Sequence, residues 1–140
     1  MLAVGGGGDD MLAKHPIDVM LMATDLGATK RFYGDRVGLD VLIESDDFVT
    51  FRCGGDSRLV VTRSTTPSTE EQTKASWRVT DVAAEVAELR ARGVEVVEYD
   101  EPYLKTVDGV ADVGFALSAW FVDPGGNTIG LLQFKDKGSG

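Results

Sequence analysis

An α+β fold is expected, with two tandem βαβββ modules forming a curved mixed sheet around a cleft and one helix covering the outer face of each module. Two observations predict it. The first is repetition: Thr24-Asp25-Leu26 returns 56 residues later as Thr80-Asp81-Val82, each time after an alternating strand and before a helix that ends in Gly. The second is that the stretches "FVTFRCGGDSRLVVT" and "SAWFVDPGGNTIGLL" both read as strand, Gly-Gly turn, strand. A fixed period of about half the chain makes the repeated unit a structural module.

Each element then follows in order. Residues 17 to 24 read as a strand, and Asp25 caps a helix running to about Val37. Leu26, Thr29, Phe32, Tyr33 and Val37 share one stripe at helical spacing. Gly38 ends the helix where a left-handed residue is cheapest. Three short strands follow, "LDVLIESD", "FVTFRC" and "RLVVTR", joined by turns at Asp46-Asp47 and Cys53-Gly54-Gly55-Asp56. Module one is therefore residues 15–63 and module two residues 73–135, joined by the polar linker 64–72. Neither is a free-standing domain, because about 60 residues is marginal for a core.

Module two repeats the order: strand "KASWRVT", a helix capped by Asp81 and carrying Val82, Val86 and Leu89, Gly93, strand "VEVVEY", then "FALSAWFV" and "TIGLLQF". Residues from about Asp100 to Gly114 have no counterpart in module one and read as an inserted loop.

The bulk properties narrow the function. At 43% apolar and 26% charged residues the chain reads as one soluble globular domain. A net charge of −9 argues against nucleic acid, whose phosphates require clustered Lys and Arg. That charge reads as solubility first and as attraction for a cationic small molecule second. No apolar run approaches the roughly 20 residues of a membrane span, so no membrane partner is expected. The lone Cys53 implies no internal disulfide and a reducing, cytoplasmic setting. Residues 1–14 and 136–140 read as a flexible leader and tail. His15, the only histidine, reads as a solvated surface residue, and Cys53 as a buried, inert thiol. No Ser-His-Asp set and no phosphate-binding loop is present.

The chain resembles the vicinal oxygen chelate superfamily: glyoxalase I, the bleomycin-resistance proteins, fosfomycin-resistance enzymes and extradiol dioxygenases. The residues that carry the resemblance are Asp25-Leu26, Phe32-Tyr33 and Gly38, then Trp77-Arg78-Val79-Thr80-Asp81-Val82, Gly93-Val94 and Phe121-Val122-Asp123-Pro124-Gly125-Gly126-Asn127. They span residues 16 to 135. By resemblance, metal-dependent members draw ligands from the first and last strands of each half. Those positions read here as Asp18, Val61, Lys74 and Gly130. Only Asp18 is a competent ligand, since Val and Gly offer no donor atom and a Lys ammonium has no acceptor. Divalent sites generally take about three protein ligands, so no metal and no other cofactor is expected.

Strand alternation places Asp18, Met20 and Met22 in the cleft, with Lys74, Ser76 and Arg78 on the matching strand. Ala116, Ser118 and Trp120, with Thr128, Gly130 and Leu132, complete that face, while Phe115, Leu117, Ala119 and Phe121 belong to the core. Asp18 and Lys74 are expected to form an ion pair where a metal would otherwise sit. Gly130 is expected to enlarge the cleft floor, and Tyr99 and Tyr103 to supply a lid.

The leading expectation is a metal-independent protein that sequesters an apolar or cationic organic molecule, as the drug-binding resistance proteins do. Its ligand-binding residues are Asp18, Met20, Met22, Lys74, Ser76, Tyr103, Ser118, Trp120 and Gly130. The alternative is a glyoxalase-like lyase or isomerase using a divalent metal, or using carboxylate acid-base chemistry with Asp18 as a candidate base; Glu44, Glu98 and Glu101 are further carboxylates whose orientation the sequence leaves open. A module without ligand binding is the third reading. A homodimer is expected, because an exposed concave sheet leaves apolar surface to cover.

Overall fold

A computed structural model describes residues 12–66 and 72–135. Most of the expected leader, the centre of the linker and the expected tail lie outside these residues. Module one runs β1 (Asp18–Ala23), α1 (Leu26–Arg31), a widened π-helical segment (Phe32–Val37), β2 (Asp40–Glu44), β3 (Phe48–Arg52) and β4 (Arg58–Arg63). Module two runs β5 (Thr73–Arg78), α2 (Val82–Ala91), β6 (Asp100–Glu101), β7 (Leu104–Lys105), β8 (Ala111–Asp112), β9 (Ala116–Val122) and β10 (Thr128–Phe134). The strand orders are β1-β4-β3-β2 and β5-β10-β9-β8, with the first pair in each sheet parallel and the others antiparallel. The same mixed topology twice is what the internal repeat implies.

Both helices begin as the sequence dictates. The Asp25 carboxylate accepts from the Ala28 amide at 2.9 Å, and Asp81 accepts from Ala84 at 3.1 Å. Gly38 and Gly93 end them at φ 91° and 86°, where a Cβ would be strained. The first helix is wider than expected over Phe32–Val37. Within that widened turn two successive aromatic rings reach inward: Phe32 meets Phe121 at 5.7 Å and Tyr33 meets Phe51 at 5.8 Å. The helix-bearing faces of both modules thus share one core, which includes Leu21, Tyr33, Phe51, Val61, Val86, Phe121 and Ile129.

Three expectations about module two are corrected. "VEVVEY" is not a continuous strand: Val96 makes a single bridge to Phe121, and the Val97 amide donates to the Trp120 carbonyl at 2.8 Å. The outer edge of β9 is shared between this short stretch and β8, because the insertion loops out between them. Next, the inserted segment is not an irregular loop. It contains the β6–β7 hairpin and a two-residue turn at Asp108-Gly109 with both φ values positive, 53° and 82°. Asp-Gly is the sequence such a hairpin turn favours. A Cβ at Gly109 would lie 2.8 Å from Val96 Cγ1 and 3.2 Å from Val86 Cγ1, so the turn rests against α2. Finally, Phe115 is 64% exposed rather than buried. It lies between Gly114, at φ 98°, and the first residue of β9, and packs on Phe134 with ring centres 5.9 Å apart.

Candidate functional site

The register sorts the strand residues into two faces. Met20 lies opposite Val60 and Met22 opposite Thr62, while Leu21 and Val61 face the core. In module two, Gly130 lies between Ser76 and Trp120, and Leu132 between Arg78 and Ser118. The face away from the helices therefore carries Asp18, Met20, Met22, Ser76, Arg78, Ser118, Trp120 and Gly130, as alternation requires. It is open: Met20 and Met22 are 61% and 54% exposed. Ser118 is 3% exposed. Trp120 is half-buried, and Tyr99 meets it edge-on with centroids 5.3 Å apart.

Tyr103 is not with this group. It is 83% exposed and borders a separate open groove with Leu104, Val110, Val113 and Leu117. Leu117 packs on the core side of β9, so that groove belongs to the outer face. Gly130 does not enlarge the floor: a Cβ there would lie 2.6 Å from Ser76 Oγ and 3.3 Å from Thr73 Cγ2, which already fill the space.

The expected Asp18–Lys74 pair is absent among the described residues. Asp18 instead accepts two bonds from its cross-strand neighbour Arg58, from Nε at 3.0 Å and Nη2 at 2.5 Å. Lys74 sits at a bulge, where β5 passes from the Thr73–Thr128 pair to Ala75–Ile129. A bulge re-aims its side chain, and the Lys74 ammonium donates to Asn127 Oδ1 at 3.3 Å.

The fork of Arg58 holds the Asp18 carboxyl below the ordinary carboxylate range. A carboxylate so held is a weak base. Replacing Arg58 by Gln is expected to raise the Asp18 pKa towards the unperturbed value of about 3.9. A carboxyl-carbon NMR titration reads this. The sign follows: whatever stability the pair contributes is present above that unperturbed value and is lost as pH falls through the lower folded value. An unchanged Asp18 titration in the variant would show that the pair does not hold in solution.

The register also shifts one of the four positions that the resemblance assigns to metal ligands. Val60, not Val61, is the outward residue opposite Met20, as Gly130 is opposite Ser76. The set is then Asp18, Val60, Lys74 and Gly130, with its one ligand-capable carboxylate committed to Arg58. Among the described residues no group of three His, Cys, Asp or Glu lies close enough to hold a metal. These residues do not fit a divalent site. Cys53 is half-buried rather than buried, and that partial burial raises its thiol pKa and disfavours the thiolate. His15 is exposed.

The residue set that the sequence reading missed is the buried turn after β9. Asp123 accepts from the Gly125 and Asn127 amides, both at 2.9 Å, from Asn127 Nδ2 at 3.1 Å, and from the Tyr33 hydroxyl at 2.7 Å. Asn127 Nδ2 also donates to the Met22 carbonyl at 2.9 Å. The turn thereby ties module two to the strand that carries Met20 and Met22. Beside it, a cavity of about 140 Å³ lies along the seam between modules, lined by Val19, Cys53, Arg58, Ser76 and Trp77 among others.

No helix among the described residues is long and apolar enough to cross a membrane. No curated protein matches the chain. Solved structures do. A glyoxalase/bleomycin resistance protein/dioxygenase from Alicyclobacillus acidocaldarius superposes with a TM-score of 0.67 at 18% identity, over 88% of this chain and 93% of that one. TnmS3, an antibiotic binding protein from Streptomyces sp. CB03234, gives 0.59 at 25% identity, over 89% of this chain and 99% of that one. A glyoxalase/bleomycin resistance protein from the same strain gives 0.59 at 27% identity, over 84% and 98%. The family profile of the Glyoxalase/Bleomycin resistance protein/Dioxygenase superfamily matches residues 16–131, from just before β1 into β10, and the chain belongs to that superfamily.

Proposed function

We propose that this protein binds an organic small molecule with a large apolar surface on the concave face, without a metal and without turning it over. One observation carries the reading. The positions to which the family resemblance assigns metal ligands hold Asp18, Val60, Lys74 and Gly130, and Asp18 is committed to Arg58. Around them lie exposed Met20 and Met22 and the half-buried Trp120. Thioether side chains adapt to irregular apolar shapes, and an indole ring gives a stacking surface. The similarity to an antibiotic binding protein supports the same reading.

A single chain leaves this face without walls. A second copy laid over it would bury the exposed Met20, Met22 and Ile43, so the working unit in this proposal is a homodimer. Sedimentation at micromolar concentration is expected to return twice the monomer mass.

The test of the reading is calorimetry of chelator-stripped protein with Ni²⁺, Zn²⁺, Co²⁺ and Mn²⁺, followed by a thermal-shift screen of antibiotics and polycyclic aromatic compounds. No stoichiometric metal binding is expected, and at least one apolar aromatic compound is expected to raise the melting temperature. One metal per site at micromolar affinity would overturn the proposal in favour of a glyoxalase-like lyase.

A further inference from the structure

The net charge of −9 suggests a cationic ligand, but the concave face has the opposite local balance. Acidic residues gather elsewhere: Asp46, Asp47 and Asp56 in turns, Glu85 and Glu88 on α2, and Asp100 in β6. On the face itself one register row crosses module one as Asp18, Arg58, Arg52 and Asp40, and module two adds Arg78. Asp18 and Arg58 neutralise one another. Among the described residues Arg78 has no carboxylate within ion-pair distance and the Ser76 hydroxyl makes no hydrogen bond, so two donors on one side of one strand are uncommitted.

Their surroundings define a shape. Arg78 is next to Leu132, Ser76 is next to Gly130, and Trp120 stands on the far side of Gly130. Two strand spacings, roughly 10 Å, separate β5 from β9. Trp120 also stands two residues along from the Leu132 row, so the diagonal from Arg78 to Trp120 is roughly 12 Å; it accommodates a fused aromatic ring system over Leu132 and Gly130, with one edge at the indole and the other at the guanidinium. A guanidinium fork recognises planar oxyanions with paired hydrogen bonds, and a hydroxyl two residues away adds a third donor.

We infer that the ligand of this face is an aromatic organic anion, a carboxylate or sulfonate, whose charged group is taken by Arg78 and Ser76 while its rings lie between Leu132 and Trp120. The inference rests on the concave face being the binding site.

Three probes with one ring system test it: 2-naphthoate, 2-naphthylmethanol and 2-naphthylmethylammonium, each titrated by calorimetry into wild type and Arg78→Gln. Arg78 is exposed, so the variant is expected to fold with an unchanged melting temperature. Naphthoate is expected to bind wild type about tenfold or more tighter than either other probe, and Arg78→Gln to remove that preference. Equal or tighter binding of the alcohol or the ammonium would overturn the anion inference and leave the binding reading intact. So would a naphthoate preference that survives in Arg78→Gln. If no probe binds wild type at millimolar concentration, both the inference and the aromatic-ligand reading fail.

Discussion

Asp123→Ala is expected to be among the most destabilising substitutions at a polar residue of the chain, at about 3 kcal/mol or more in urea or thermal unfolding. The residue is 4% exposed and accepts hydrogen bonds from two backbone amides, the Asn127 amide group and the Tyr33 hydroxyl. A methyl in its place leaves the Gly125 and Asn127 amides and the Tyr33 hydroxyl buried and without this acceptor, each costing about 1–3 kcal/mol before relaxation, while Asn127 Nδ2 keeps its bond to the Met22 carbonyl. Tyr33→Phe removes one of them and should cost about 1–3 kcal/mol. Because both variants disturb the same contact, their effects should fall short of additive when combined.

The pH dependence has a definite sign. Burial, reinforced by the neighbouring Asp123 carboxylate, raises the Tyr33 hydroxyl pKa above its ordinary value. The native state therefore favours the neutral phenol. Its contribution is complete below the unperturbed pKa of about 10 and declines as pH rises beyond it. Wild type should lose stability above that pH faster than Tyr33→Phe. A loss under about 1 kcal/mol in Asp123→Ala would mean that the turn is not the hub its hydrogen bonds indicate.

The parts of the fold that were legible in the sequence are those set by local chemistry. Asp25 and Asp81 cap helices, and Gly38 and Gly93 end them, because each needs only its own few neighbours. Alternation placed Met20, Ser76 and Trp120 on one face for the same reason. What was misjudged depends on contacts or irregularities that periodicity cannot carry. The pseudo-symmetry of the modules points Asp18 to Lys74, whereas the neighbour directly across the parallel pair is Arg58, and a bulge turns Lys74 aside. "VEVVEY" has the composition of a strand, yet its edge position is taken over by β8 beyond the insertion. The sequence around Asp123 shows only a turn, because its decisive partner, Tyr33, lies 90 residues away. A signal did exist: a buried tyrosine needs a hydrogen-bond partner, and Tyr33 lies on the core stripe of its helix.

The second large effect is expected at Gly125, and it separates steric closeness from conformational freedom. Gly125 does not adopt a positive φ, so Ala is acceptable there on backbone grounds alone. The obstacle is the other module: a Cβ would lie 2.7 Å from the Met22 carbonyl oxygen and 3.2 Å from Ala23 Cα. Those are backbone atoms of β1, held in register against β4, and cannot swing away as a side-chain end would. Gly125→Ala must therefore move the turn off β1, at about 1–3 kcal/mol for overpacking. It also strains the Asn127 bond to the Met22 carbonyl and widens the seam beneath the concave face. Gly54, in the corresponding turn of module one, has no atom within 4 Å of its Cβ position. Gly54→Ala should change stability by no more than about 0.5 kcal/mol. If the two substitutions cost the same, the Asp-Pro-Gly-Gly-Asn turn is an ordinary surface turn. If only Gly125→Ala is costly and it also weakens ligand binding, the turn sets the spacing of the strands that form the site.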